Sequence, residues 1–344
     1  MTAIENIKLA DTNFSFTLHI SEVSCFVKDE NNHFMKFNFF QNGETLTVEV
    51  MENDHFPNSF KVLYQVLDIL FFKCKNALKA EILLTTQVDI LKEVLLDKQD
   101  QIKFLVTKQD FYQTQNVWGT LSEDTAVNTH LKNTNLKQVT HDRLHPVRPL
   151  VGKGLKYKRF YPEIGKMVSY RSVDVETDLD LFHDWHNKPR VYDLWELNKS
   201  KEELKDYLIR AQKDLHQVPL IMEFDGVPVG YYEIYWAAED RIAPYYDYDI
   251  YDRGFHFLIG DETYLGLDNT SVSLRSAMHM IFLDEPRTKH IVGEPRSDNK
   301  RVLKYLQLIP GWKFVKEFDF PHKRAALLMA DRDVFFKDGQ GFNL

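Results

Sequence analysis

The sequence predicts an α/β (α+β) chain, in which a smaller α+β N-terminal domain precedes a domain with a mixed central sheet. The first half combines stretches of alternating apolar and polar residues with stretches of helical spacing. The second half is more regular and gives the element order β-α-α-β-β-β-α-β-α-β-β. The polar stretch 128–148 is typical of a linker, so we predict domains at 1–145 and 146–344.

In the first half, residues 14–27 and 33–51 alternate as half-buried strands do. Asn42-Gly43 lies between two such runs and predicts a hairpin turn. Helical spacing predicts helices over 60–76 and 90–105. We find no catalytic motif in this half, and its role stays open.

In the second half, Ser200 and Glu203 form a capping-box pattern that opens a helix to about Lys213. Asp225-Gly226 predicts the turn between two strands at 218–224 and 229–236. The other predicted helices are 177–186, 270–283 and 298–308. The other predicted strands are 167–173, 254–260, 289–293, 312–318 and 325–330.

Composition excludes several classes of protein. The formal net charge is −8, and we see no basic patch of the kind that nucleic-acid binding requires. The two cysteines, Cys25 and Cys74, are far apart, which excludes a disulfide framework and a cysteine-rich zinc site and fits a reducing cytoplasm. His141 and His145 lack further ligands, so we expect no metal. The N-terminus lacks the pattern of a signal peptide, and the longest apolar run, 62–72, is too short to span a bilayer.

One candidate for chemistry is His256, which lies on the predicted strand 254–260 among apolar residues. A lone histidine in such a strand is more often a core residue than a catalyst. Here, however, the strand runs into the loop 264–270 and then a helix, whose first N–H groups are free to bind an anion. An ordinary capped loop is the plainer interpretation, since a single glycine makes a weak phosphate motif.

The second candidate is Glu294, at the end of the next predicted strand and followed by Pro295. An acid at the end of one strand and a histidine on its parallel neighbour can meet across a cleft. Glu294 and His256 would then form either a base and the group that orients it, or two bases that share the proton transfer. Ser297, Asp298 and Asn299 can equally be caps of the following helix.

Long motifs in the second half resemble the aerobactin-type N-hydroxylysine acetyltransferases and their relatives in the GNAT superfamily of acyl-CoA-dependent acyltransferases. The resemblance covers roughly 145–336. The matching segments are Phe182-His183-Asp184-Trp185-His186-Asn187-Lys188-Pro189-Arg190-Val191, Trp195-Glu196, Tyr245-Tyr246-Asp247, Asp252-Arg253-Gly254-Phe255-His256, Gly293-Glu294-Pro295-Arg296, Asp298-Asn299, Gly311-Trp312 and Phe318-Asp319-Phe320-Pro321-His322-Lys323-Arg324-Ala325-Ala326-Leu327.

The resemblance implies a siderophore pathway, with His256 as general base and Glu294 as its acidic partner. Tyr305 is a candidate general acid, which would protonate the thiolate of CoA as it departs. A packing role for Tyr305 is the open alternative. Acetyl-CoA or another acyl-CoA is the implied co-substrate, with no metal. We assign its site to Phe257, Leu258, Ile259, Tyr264, Leu265, Gly266, Leu267, Asp268, Asn269, Thr270 and Asn299.

The implied acceptor is a small N-hydroxylated amine: N-hydroxyputrescine, N-hydroxycadaverine or N-hydroxylysine. Each has a distal ammonium, which carboxylates and aromatic faces can bind. We therefore expect acceptor contacts from Trp185, Trp195, Tyr232, Glu233, Tyr246, Asp247 and Asp252. For the acidic-aromatic run, the alternative is a solvated loop. The basic cluster 322–324 is a candidate for binding CoA phosphate or a substrate carboxylate, with surface solvation as the equal alternative.

Two other functions remain open at this level. One is a GNAT enzyme that acetylates an ordinary polyamine or aminoglycoside amine, since the same base would serve it. The other is a non-catalytic acyl-CoA-binding scaffold, which would not need the histidine and the acid. As protein partners we expect a second copy of the chain or other enzymes of a siderophore pathway, and neither a nucleic acid nor a membrane.

Overall fold

The computed structural model describes residues 5–10, 15–53, 59–84, 102–114, 118–119, 137–140, 142–149 and 151–339. The chain divides into two compact units, 1–117 with 340–344, and 118–339. This division falls N-terminal to the 145/146 boundary given above, which stays a prediction.

The first unit contains a sheet in which the described strands follow one another in chain order, β1 to β7. Neighbouring strands are antiparallel except β5 and β6, which are parallel and are joined through a helix. The strands are β1 (Glu5–Ala10), β2 (Ser15–Ile20), β3 (Ser24–Asp29), β4 (Phe34–Asn42), β5 (Thr45–Asn53), β6 (Lys79–Leu84) and β7 (Ile102–Thr107). The helices are α1 (Ser59–Lys73) and α2 (Lys108–Tyr112).

Two predicted features of this unit are confirmed. The hairpin at Asn42-Gly43 joins β4 to β5, and Gly43 takes φ +58°, where a side chain would be strained. Helix α1 buries Val62, Val66 and Leu70 at helical spacing. Residues 90–101 of the predicted helix 90–105 lie outside the described residues.

The last four positions of that predicted helix belong to strand β7, so the helical prediction is wrong there. The segment Ile102–Thr107 pairs antiparallel with Lys79–Leu84. The pairing with β6 extends over six residues and satisfies backbone N–H and C=O groups of this segment. The helical spacing of its apolar residues does not override this pairing.

The second unit is built on an eight-stranded mixed sheet of order β10-β11-β12-β13-β14-β15-β17-β16 among its described residues. These strands are β10 (Leu155–Tyr161), β11 (Lys166–Ser172), β12 (Gln217–Phe224), β13 (Val227–Trp236), β14 (Arg253–Ile259), β15 (His290–Gly293), β16 (Trp312–Asp319) and β17 (Arg324–Asp331). The helices are α3 (Val175–His186), α4 (Pro189–Trp195), α5 (Lys201–Lys213), α6 (Leu267–Asp284), α7 (Lys300–Gln307) and α8 (Arg332–Val334).

The predicted element order of this half is confirmed, with the capping box of Ser200 and Glu203 present at the start of α5. The structure adds β10 and α4, which the sequence analysis does not predict. It also adds a hairpin formed by β8 (Lys137–Thr140) and β9 (Arg143–Pro146).

The hairpin strand β9 and the residues after it pack on the rest of the second unit. The Arg143 guanidinium donates to the main-chain oxygens of Ala238 and Asp240. The buried Arg148 donates to the carboxylate of Glu239 at 2.6 Å. The described end of the stretch interpreted as a linker is therefore held by ion pairing and hydrogen bonds to the second unit.

The two faces of the large sheet are covered by different helices. On one face, Phe182 of α3 and Leu204 of α5 pack against Tyr231 of β13. On the other face, the hydroxyl of Tyr170 donates to the main-chain oxygen of Ser273 in α6 at 2.9 Å. Tyr232 of β13 packs against the ring of Tyr170 at a centroid distance of 5.2 Å, so the adjacent residues Tyr231 and Tyr232 face two different layers of helix.

The centre of the sheet is interrupted between β14 and β15. These two strands are parallel and pair at Arg253 with Ile291 and at Gly254 with Val292. Beyond Gly254, β14 continues to Ile259 without a partner on β15. The strands therefore separate and open a cleft in the middle of the sheet.

We expect Gly260→Ala to destabilise the second unit by about 1–3 kcal/mol, because overpacking a buried contact has that cost. A Cβ atom at Gly260 would lie 2.0 Å from the nearest ring carbon of Trp185, which is itself 1% exposed. Urea unfolding of the variant measures the loss. Gly293→Ala is the control, since its Cβ atom would meet Trp312 at an ordinary 3.5 Å. Equal stability of the two variants would contradict this packing.

Candidate active site

Strand β13 presents a row of polar side chains to one face of the sheet. Residues of one strand that are two apart share a face, so Tyr231, Glu233 and Tyr235 lie in line. Glu233 is paired directly with His256 of the antiparallel strand β14. The cross-strand pairing therefore places the carboxylate and the imidazole side by side.

His256 contacts a second carboxylate on its other side. Its Nε2 atom lies 3.0 Å from Oε1 of Glu294, the residue that follows β15. The Glu294 side chain is 1% exposed and that of His256 is 28% exposed. The other oxygen of Glu294 accepts a hydrogen bond from the hydroxyl of Tyr235 at 2.8 Å. The meeting of His256 and Glu294 across a cleft, which the sequence analysis expects, is present.

Glu233 completes a line of three charged groups. Its Oε2 atom lies 3.3 Å from Nδ1 of His256. Its Oε1 atom accepts from the hydroxyl of Tyr231 at 2.9 Å and also from the hydroxyl of Tyr207 on α5. His256 is thus held between two buried carboxylates, each of which has further hydrogen-bond donors.

The electrostatics of this line favour a protonated histidine. Burial lowers the pKa of His256, but the hydrogen bonds and charges of Glu233 and Glu294 outweigh burial and raise it to about 10. For Glu294, burial raises the pKa, whereas the contacts with His256 and Tyr235 and the charge of Lys323 lower it to about 2. The pKa of Glu233 is also lowered, against burial, by His256 and the two tyrosines. In the absence of substrate, the imidazolium and both carboxylates are therefore the stable forms at neutral pH.

A cavity of about 640 Å³ opens beside His256. That volume is in the range of small-molecule and cofactor sites. Of the residues assigned from the sequence, the following line it: His256, Glu294, Tyr305, Phe257, Leu258, Ile259, Leu265, Thr270, Asn299, Trp195 and Glu233. The structure therefore brings together the three candidate catalytic residues and part of each predicted binding set.

Other predicted binding residues do not line this cavity. In the loop, these are Tyr264, Gly266, Leu267, Asp268 and Asn269; in the acceptor set, they are Trp185, Tyr232, Tyr246, Asp247 and Asp252. Trp185 is a core residue of the helical layer, and Tyr232 lies on the opposite face of β13 from Glu233. Their predicted contacts with ligand stay predictions.

The acidic-aromatic run forms its own hydrogen-bonded turn. Asp252 is fully buried, and its Oδ2 atom accepts from the backbone N–H of Asp249 at 3.0 Å and from the hydroxyl of Tyr246. Its other oxygen lies 3.3 Å from Nδ1 of His290. These contacts give Asp252 a structural role in shaping the connection that precedes β14.

Sequence reasoning missed several residues that surround the site. Tyr207 and Arg241 line the cavity, and the hydroxyl of Tyr235 donates to Glu294. Lys323, which the sequence analysis includes in the basic cluster 322–324, also lines the cavity. The Lys323 ammonium donates to the main-chain oxygen of Glu294 at 2.8 Å. The alternation of β13 could have indicated Tyr235, since it lies on the same face as Glu233. Tyr207 has no comparable signal, because its contact depends on how α5 packs.

The end of the cleft that faces α6 is suited to an anion. Gly266 is the N-cap of this helix, takes φ +140° and gives no side-chain cap, so the first N–H groups lack an Ncap acceptor. Arg190 and Arg301 lie on the cavity wall and supply local positive charge to an acidic chain. At α7, by contrast, the Asn299 side chain accepts from the backbone of Val302 and caps the helix.

Two classes of site are not seen among the residues that the structure describes. These residues hold no group of three or more His, Cys, Asp or Glu side chains that could bind a metal ion. No helix in the same ranges is long and apolar enough to cross a membrane.

Comparisons with known proteins agree with this architecture. The family model described as "Acetyltransferase (GNAT) domain" matches residues 174–320. The N(6)-hydroxylysine O-acetyltransferase of Escherichia coli is 44% identical over 193 residues, which are 56% of this chain and 61% of the relative. An N(5)-hydroxyornithine:cis-anhydromevalonyl coenzyme A-N(5)-transacylase of Beauveria bassiana is 42% identical over 199 residues, which cover 56% of this chain and 43% of that protein.

The chain thus spans about half the length of these curated relatives. Among solved structures, an uncharacterised protein of Bacillus halodurans is 33% identical, with a TM-score of 0.52, over 55% of this chain and 98% of that protein. The family model and the relatives confirm the superfamily that the motifs indicate. Through residues 174–320, the chain belongs to the GNAT acetyltransferases.

Proposed function

We propose that the second unit transfers an acyl group from acyl-CoA to the hydroxylamine nitrogen of a small N-hydroxylated amine, forming a hydroxamate. The nitrogen attacks directly in a ternary complex, with His256 as general base. The observation that carries the proposal is the contact between His256 and Glu294 beside the cleft that opens between β14 and β15. A catalytically silent scaffold would not need a buried acid paired with a histidine at this place.

The cleft fits acyl-CoA as co-substrate. Beyond Gly254, the backbone of β14 has no pairing with β15, so its amide groups can bond the amides of an extended ligand. Phe255, Leu274 and Trp312 contribute apolar surface to the cavity. The N-terminus of α6, with Arg190 nearby on the cavity wall, suits the phosphates.

The nature of the acceptor is supported by the relatives. The proteins from Escherichia coli and Beauveria bassiana are named for hydroxylysine and hydroxyornithine. We therefore propose N-hydroxylysine, N-hydroxycadaverine or N-hydroxyputrescine as acceptor. A hydroxamate binds iron through two hard oxygens, which places the product in siderophore synthesis. We place the reaction in the cytoplasm, where free thiols such as Cys25 and Cys74 persist.

The residues account for each change in bonding. As the nitrogen forms its bond to the thioester carbon, its proton becomes acidic and passes to Nε2 of His256. The carbon–sulfur bond then breaks, and Tyr305, which lines the cavity, donates a proton to the departing thiolate. Glu294 stabilises the imidazolium that forms, because it is ionised and 3.0 Å away.

We expect thiol release from acetyl-CoA with N-hydroxylysine, N-hydroxycadaverine or N-hydroxyputrescine, and at most slow release with the matching unhydroxylated amines. A hydroxylamine nitrogen is less basic than an alkyl amine, so it is uncharged and reactive near neutral pH. His256→Ala should lower kcat by about 100-fold or more, since general bases contribute about 10²–10⁴ in rate. Thiol release with Ellman's reagent measures this.

Lys205→Gln is the control variant for that assay, because the Lys205 side chain is exposed and pairs with Glu176 outside the cavity. Faster turnover of the plain amines would make the protein a general amine acetyltransferase. Absence of turnover with every acceptor, for acetyl-CoA and longer acyl-CoA donors alike, would support a scaffolding role instead.

The pH dependence tests the role of His256. A general base acts in its neutral form, and the pKa of His256 is raised to about 10. We therefore expect kcat/KM for the hydroxylated acceptor to rise about tenfold per pH unit below a midpoint well above 6.5. Glu294→Gln should shift the midpoint to lower pH, because it removes one attraction for the proton. A rate that falls as the pH rises would assign catalysis to the imidazolium and contradict this role.

A further inference from the structure

We propose that Glu233 is a positioning residue for the acyl transfer, which retains the Nδ1 proton of His256 so that Nε2, beside Glu294, is the ring nitrogen that accepts the proton of the substrate. This inference rests on the proposed function and assigns Glu233 a role other than contact with the acceptor. It is carried by three hydrogen-bond contacts of one buried carboxylate: to His256, to Tyr231 and to Tyr207.

The two carboxylates beside His256 compete for one proton of its ring. Protonated His256 donates from both ring nitrogens, with Nδ1 towards Glu233 and Nε2 towards Glu294. After the loss of one proton, a neutral imidazole can donate to only one of these carboxylates. A general base at Nε2 therefore requires that the remaining proton stays on Nδ1, at Glu233.

Glu233 is held in place by contacts at both of its carboxylate oxygens. Its Oε1 atom accepts from two tyrosine hydroxyls, one on the same strand and one on α5, which leaves Oε2 directed at His256. The side chain is 5% exposed, against 28% for His256. Because both of its oxygens already have partners, Glu233 is better placed to orient the imidazole than to bind an ammonium from the substrate.

The other groups around His256 are aromatic rings and the charged groups near Glu294. Trp195 of α4 and Tyr235 of β13 pack against the ring, with centroid distances of 6.2 and 4.9 Å. The charged groups nearest Glu294 are Arg241 and Lys323. The Nη2 atom of Arg241 lies 3.8 Å from Oε1 of Glu294, and the Lys323 ammonium donates to the main-chain oxygen of Glu294. Among the described contacts, Glu233 is the charged group that faces Nδ1 directly. A substitution of Glu233 therefore changes the electrostatic environment selectively on that side of the ring.

Two substitutions should have opposite effects on His256. Glu233→Gln removes a negative charge next to Nδ1, so the imidazole should lose its proton at lower pH. Tyr207→Phe keeps the negative charge and removes one donor that shares it. The carboxylate should then attract the imidazolium more strongly, and the imidazole should lose its proton at higher pH. A purely structural contact would not produce two shifts of opposite sign.

We would measure the titration of the His256 ring by NMR in the full chain, using ¹⁵N-labelled histidine. We expect a wild-type midpoint well above 6.5, a fall of at least about one pH unit in Glu233→Gln, and a smaller rise in Tyr207→Phe. Glu223→Gln is the matched control, since Glu223 is a partly buried sheet carboxylate that pairs with Arg171 and does not line the cavity. It should leave the His256 midpoint unchanged.

The kinetic measurement uses the best hydroxylated acceptor with acetyl-CoA over the same pH range. Glu233→Gln should lower the limiting kcat at high pH at least about tenfold, while KM for the acceptor changes less than about threefold. A rise in KM with kcat intact would instead make Glu233 an acceptor-binding residue and overturn the proposal. Urea unfolding shows whether each variant is folded before it is compared.

The two measurements separate this inference from the proposed function. The NMR titration needs no substrate, so an unchanged His256 midpoint in Glu233→Gln overturns the inference whatever the enzyme acts on. Opposite midpoint shifts without turnover of any acceptor would uphold the coupling of Glu233 to His256 and reject the proposed acyl transfer. Opposite shifts together with the loss of kcat support both.

Discussion

The separation of two parallel strands is the feature on which the site depends. Strands β14 and β15 pair at only two positions, and the rest of β14 is free of β15 along the cleft. In an uninterrupted sheet, the edges of these strands would be satisfied by one another, and a ligand would have no access to the middle of the sheet. The same separation puts Glu294, at the end of β15, across the gap from His256 of β14.

Charge at this gap is stabilised by a short series of hydrogen bonds. Burial alone would favour the neutral, protonated form of Glu233 and of Glu294. The pKa of each carboxyl group is nevertheless lowered, because His256 lies between them. Tyrosine hydroxyls supply the remaining donors on both carboxylates. The helix α5 takes part through Tyr207, so the packing of a surface helix is linked to the electrostatics of the cleft.

The sequence predicts much of the second unit because its local signals agree with its tertiary structure. Strands alternate, the capping box of Ser200 begins α5, and the strand carrying His256 leads into a helix. His256 and Glu294 are predictable because each lies at a definite point of a strand. Tyr207 is not, because its contact depends on the orientation of α5. Tyr232 and Glu233 are adjacent in sequence but face opposite layers, so proximity along the chain is a poor guide to the cavity wall.

Under the proposed acyl transfer, the raised pKa of His256 and the choice of nucleophile are related. An alkyl amine arrives as an ammonium and must lose one proton before it attacks and another afterwards, which a base that is already protonated at neutral pH serves poorly. A hydroxylamine arrives uncharged, and its single proton is released only as the new bond forms, when it is most acidic. A histidine held between two carboxylates can accept that proton only when its ring is neutral. The imidazolium that results is the state that the surrounding charges favour. Under the proposed function, the site therefore stabilises charge that develops during the reaction, with Glu233 holding the other ring proton.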